Sequence, residues 1–136
     1  MSRLPRIHRD IAVRVGGLLL VNVVYQIVGR SIGGEFYGAN IGAGMAEFGL
    51  TALLALAWGV ADGRSRPVGV LLRVWAAVGG FIALLTAVLV TARAAVEGGV
   101  EPSFPFLVLG VLVPIVAITI AGPAILGGAI SSDRRP

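Results

Sequence analysis

Glu47 is set at the head of a long apolar run: in EFGLTALLALAWGVAD the next charge after it is Asp62. A carboxyl in such a place can bind a cation in exchange for its proton, or simply join two helices by a hydrogen bond. Other polar residues interrupt apolar runs in the same way. Asn22 and Gln26 are one helical turn apart, with Tyr25 beside them; Thr51 follows Glu47 by one turn, and Thr86 stands in a third run. Together Glu47, Asn22, Gln26, Tyr25, Thr51 and Thr86 form the candidate polar cluster.

Other chemistries are excluded by what the chain lacks. It has no cysteine, so there is no disulfide framework, thiolate nucleophile or thiolate metal site. Its only histidine, His8, lies in a basic N-terminal stretch, which rules out a histidine metal cluster or a Ser/His/Asp triad. No GK[ST] follows the glycines and no GxGxxG opens a nucleotide-binding unit. The acids other than Glu47 (Asp10, Glu35, Asp62, Glu97, Glu101 and Asp133) are scattered over both sides and are expected never to pair. The expectation is a protein that is not an enzyme, with no metal and no cofactor.

The elements that position the cluster follow from composition. The 136 residues are 57% hydrophobic and 13% charged, with a mean hydropathy of +0.93, against roughly 45–50% and about 25% in soluble domains. Four mainly apolar segments meet the length needed to cross a bilayer: Ile11 to Gly29, Ile41 to Ala61, Val68 to Ala92 and Phe106 to Ile130. Their helices have almost no polar outer face, which a soluble bundle would require. The predicted fold is therefore all-α, an integral membrane four-helix bundle with short loops, forming a single transmembrane domain over residues 1–136. Residues 1–10 are read as a basic segment on the membrane surface, with Leu4, Ile7 and Ile11 at helical spacing, and 131–136 as a tail. The first span is taken as uncleaved, since no A-x-A-like site follows Gly29.

All eleven basic residues are arginine, and with so much Ala, Gly and Val this points to a GC-rich genome and hence to a bacterium. The pI of about 11.1 reflects arginines beside apolar spans, so they are read as topology signals and not as a nucleic-acid surface. Arg3, Arg6, Arg9 and Arg14 precede or open the first span, Arg64, Arg66 and Arg73 surround the second loop, and Arg134 and Arg135 end the chain. The other two loops hold Arg30 and Arg93 with Glu35, Glu97 and Glu101. The positive-inside rule then places both termini in the cytoplasm and the chain in the bacterial inner membrane, N-in and C-in. Arg14 and Arg73 are expected to snorkel to the inner surface. Tyr25, Phe36, Tyr37, Phe104, Phe106 and Trp58 are read as interfacial anchors.

Small residues at four-residue spacing mark the expected helix-packing faces: Gly38, Gly42 and Ala46, then Ala55 and Gly59, and Gly79, Ala83 and Ala87 in the third span. Pro114 and Pro123 should bend the last helix, Pro114 by leaving the Gly110 carbonyl without its usual partner. Depth counted from the outer span ends, at ~1.5 Å per residue, puts Glu47 roughly 9 Å deep and the other polar residues in the same outer half. No arginine stands at that depth, and desolvation favours the neutral acid at rest.

The expected function is that of a small multi-pass, non-enzymatic accessory or assembly component, binding the lipid bilayer and either itself or a larger membrane complex, with Glu47 as a hydrogen-bonding link. The alternative is an oligomeric proton-coupled transporter or channel working through Glu47, since four spans enclose too little alone.

Overall fold

A computed structural model of the chain describes residues 4–33, 41–98 and 101–133. These residues are helical apart from turns, with no strand among them. Helix α1 is Leu4–Gly33, α2 is Ile41–Gly63 and α3 is Val68–Glu97. The fourth, α4, runs over Phe104–Ser132 in three continuous pieces: α-helical Phe104–Leu107, π-helical Val108–Leu112 and α-helical Val113–Ser132. All four are long and apolar enough to cross a membrane.

The helices extend beyond the expected spans, and α1 differs most. It passes through residue 10 without a break, where a separate surface segment was expected, because nothing between Ile7 and Val15 interrupts the backbone and Arg14 is held by partners inside the bundle. Gly38 of the expected packing ridge and Glu35, Phe36, Tyr37, Arg3, Arg134 and Arg135 lie outside the described residues. So does the side chain of Arg6.

Helix α2 ends in a turn built on one carbonyl. The backbone oxygen of Asp62 accepts from the Ser65 amide at 3.0 Å, the Arg66 amide at 2.9 Å and the Ser65 hydroxyl at 3.2 Å. Pro67 then opens α3 with an extended backbone (φ −64°, ψ 145°), a conformation that proline favours and that sets the chain going back antiparallel. In α4 the effect of proline is a widened turn. Pro114 has no N–H to give, and just before it the Val113 amide reaches back five residues to the Val108 carbonyl. Pro123 lies inside the same helix.

The core is a close assembly of α4 with α2 and α3, on which α1 leans. Small residues let the helix backbones approach directly. A Cβ on Gly59 would overlap the backbone of Ala124, one on Gly63 would strike Ser131 and Gly128, and one on Gly127 would sit 2.6 Å from the Leu56 carbonyl. On the other side Gly79 approaches the Ala117 carbonyl, 2.8 Å from where its Cβ would be. Ala55, Ala83 and Ala87 are buried with them. Gly42 and Ala46 are exposed. The buried stripe of α3, from Leu71 through Trp75, Val78 and Ile82, completes the core. Leu20, Leu53, Phe106 and Ile118 point outward, as an apolar belt would.

Candidate functional site

Helix α1 leans on α2 and α3 and scarcely touches α4. The space this leaves is a cavity of about 380 Å³, lined by fifteen residues from all four helices. Nine of the fifteen are apolar, among them Leu18, Phe48, Ile82 and Val116, and six are polar: Asn22, Gln26, Glu47, Thr51, Thr86 and Thr119. Five residues of the candidate cluster thus share one cavity. Tyr25, half-buried on α1, does not line it.

The polar residues join α1 to α2. Gln26 donates from Nε2 to Oε2 of Glu47 at 2.5 Å, and one turn along Asn22 donates from Nδ2 to the Thr51 hydroxyl at 3.2 Å. Thr51 passes its own hydrogen to the Glu47 backbone carbonyl at 2.8 Å. Thr86 and Thr119 donate to carbonyls of their own helices, those of Ile82 at 2.9 Å and Ile115 at 2.8 Å. Their remaining capacity toward the cavity is as acceptors.

Among the described residues that line the cavity, Glu47 is the one that titrates. No group of three or more His, Cys, Asp or Glu that would hold a metal occurs among the described residues. The cavity offers one carboxyl, amides and hydroxyls along an apolar wall. It can hold one positive charge against one negative one.

A second polar centre lies at the opposite end of the bundle, where α2 turns into α3. Arg14 is 4% exposed and Asp62 8%. Nε of Arg14 donates to Oδ2 of Asp62 at 3.0 Å, and Nη2 donates to Oδ1 at 2.6 Å and Oδ2 at 2.7 Å. Nη1 donates to the Asp10 carbonyl at 2.7 Å, and the Trp75 indole donates to Asp62 at 3.2 Å. The guanidinium lies 5.7 Å from the Trp58 ring centre and 5.8 Å from that of Trp75, within cation–π range. The two rings meet edge to face, 6.1 Å apart. A Cβ on Gly17 would come within 3.0 Å of Trp58, so a glycine there lets the indole lie against α1. Arg66 closes the network by donating to Asp10 at 2.5 Å, and that hydrogen bond holds the Arg66 pKa above its ordinary value.

This centre corrects three expectations. Arg14 does not snorkel but is buried and paired. Trp58 is half-buried against Arg14 and Trp75, where an interfacial anchor was expected. Asp10 and Asp62, scattered in sequence, gather around the same two arginines. Counted from the expected inner span ends, Arg14 is three residues inside the first span and Asp62 one residue beyond the second, so depth alone does not pair them. Of the remaining topology arginines, Arg9, Arg64 and Arg73 are exposed at this same end. Thr119 also escaped notice, since its position facing the cavity depends on the path of α4 past Pro114.

Comparison with protein-family models, with curated proteins and with solved structures finds no match to this chain.

Proposed function

We propose that the protein is a bacterial inner-membrane protein with both termini in the cytoplasm, and that it moves a cation in exchange for a proton at Glu47. The observation that carries this reading is the cavity shared by all four helices, in which Glu47 is the titratable residue among the described lining residues and Gln26 holds its carboxyl in place. An acid whose only role was to join helices would need no such space beside it. The weak contact of α1 with α4 gives one wall freedom to move, while the Arg14–Asp62 centre secures that wall at the far end. A complete pathway requires a second copy of the chain.

The test uses proteoliposomes with an acidic interior and a trapped pH dye. Addition of sodium, potassium or an organic monocation outside should draw protons out through the native protein and not through Glu47→Gln, which keeps the shape but cannot ionise. If no cation elicits proton movement, the transport reading fails.

A second reading, an accessory component of a larger membrane complex, is favoured by the exposed small residues Gly42, Ala46 and Gly49 on α2. These would let a foreign helix approach closely. Capture in mild detergent should then return a stoichiometric membrane partner, and recovery of the chain alone would count against it.

A further inference from the structure

We infer that the cation bound at Glu47 is an organic ammonium with an apolar body, and not a metal ion. This rests on the proposed exchange at Glu47 and names its substrate class.

Three properties of the cavity lead to it. The first is size, since about 380 Å³ falls within the roughly 300–1,000 Å³ of small-molecule sites, whereas a bare metal ion needs only a tight shell of donors. The second is the donor set. Hard cations such as Ca²⁺ are held by about six to eight oxygens, several of them from carboxylates, and here a single carboxyl stands among neutral amides and hydroxyls. The third is the wall: nine of fifteen lining residues are apolar. They would gain nothing from a hydrated ion but would bury a hydrocarbon body favourably. Phe48, next to Glu47 in sequence and on the same wall, adds an aromatic face of the kind that attracts alkylammonium groups.

The charge balance is one for one. The neutral carboxyl of Glu47 releases its proton to water as the ammonium enters, and the carboxylate left behind pairs with the cation. The cavity is electrically neutral before and after, so neither state leaves an uncompensated charge in a low-dielectric space. Among the described lining residues, none contributed by α1, α3 or α4 is titratable, so none competes for the proton.

The experiment is calorimetric titration of the full chain in detergent, near neutral pH, with benzyltrimethylammonium, with its uncharged isostere neopentylbenzene, and with sodium and potassium. Benzyltrimethylammonium should bind saturably, and repetition in buffers of different ionisation heat should show proton release. Glu47→Gln should weaken it by about tenfold or more, as loss of a buried charge partner does. Thr119→Phe, which fills the cavity and leaves Glu47 intact, should weaken it too, with melting curves showing both variants folded. Equal binding of neopentylbenzene, or binding unaffected by Glu47→Gln, would overturn the inference. If sodium or potassium displaces a proton from Glu47 and benzyltrimethylammonium does not bind, the inference falls while proton exchange at Glu47 stands. If no cation displaces a proton, both fall.

Discussion

Arg14 and Asp62, one near the start of α1 and the other in the last turn of α2, meet in a bidentate pair with both side chains almost wholly enclosed. An acid at a helix C-terminus opposes the helix dipole, and an arginine well inside an apolar segment is costly alone. Each supplies what the other lacks. Because Trp75 and the α2–α3 turn share the same aspartate, this one contact ties three helices together at one end, and the cavity lies between the same helices at the other.

Breaking that pair should be far more damaging than replacing it. Asp62→Asn leaves a buried guanidinium without its carboxylate and should cost about 3–5 kcal/mol, while Arg14→Met combined with Asp62→Leu should be close to native stability. The chain has only two tryptophans, Trp58 and Trp75, and both face Arg14, so denaturation followed by intrinsic fluorescence reads the site directly. A single variant as stable as the native protein would show that the pair contributes nothing.

Packing through glycine makes an equally sharp contrast. At Gly59 an added Cβ falls on the Ala124 backbone, whereas at Gly16 it meets nothing within 4 Å. Gly59→Ala must push α2 away from α4, and a loss of about 2 kcal/mol or more is expected. Gly16→Ala should be neutral or stabilising by up to about 1 kcal/mol, from helix propensity alone. Melting temperatures of the two variants in one detergent decide it.

How far the sequence could be read depended on the range of the signal. The four helices were legible because apolar length is a local property, and the cluster of Glu47, Gln26, Asn22 and Thr51 because polar groups in the same half of a bundle tend to find one another. The pairing was not, since depth counted from the span ends matches Asn22 to Glu47, whereas Gln26 is the residue that bonds it. What was not legible depended on which faces meet. Gly42 and Ala46 stand on the ridge next to that of Ala55 and Gly59 and are exposed, whereas Gly59 lies against Ala124 of α4. Arg14 was read as a charge to be kept near water, because its partner lies on a different helix and no motif links them. The π turn before Pro114 was foreseen only as a bend.

The threonines of the cavity should separate by whom they serve. Thr51 accepts from Asn22 across the helix boundary, while the Thr86 hydrogen goes to its own backbone. Thr51→Val should therefore cost about 0.6–1.7 kcal/mol, the range for interhelical hydrogen bonds in membranes, and Thr86→Val close to nothing. A double-mutant cycle of Thr51→Val with Asn22→Leu should recover the coupling. Strict additivity would mean that the bond contributes no stability.

Orientation can be read with cysteine, because the chain has none of its own. Arg9, Arg14, Arg64, Arg66 and Arg73 gather at one end of the bundle, and Arg30 and Arg93 are at the other. In the folded molecule Arg14 and Arg66 are neutralised by Asp62 and Asp10, and Arg93 by Glu97 at 2.7 Å. Such pairing does not weaken the argument, because the positive-inside rule counts lysine and arginine in short loops and gives acids little weight. The α2–α3 turn should thus be cytoplasmic and the loop before α4 external. Ser65 and Ser103 are exposed on those two segments. In intact cells an impermeant maleimide should label Ser103→Cys at once, and Ser65→Cys only after the membrane is opened. The reverse pattern would invert the molecule and place Glu47 nearer the cytoplasm, and labelling of both in intact cells would mean that α3 does not cross the membrane.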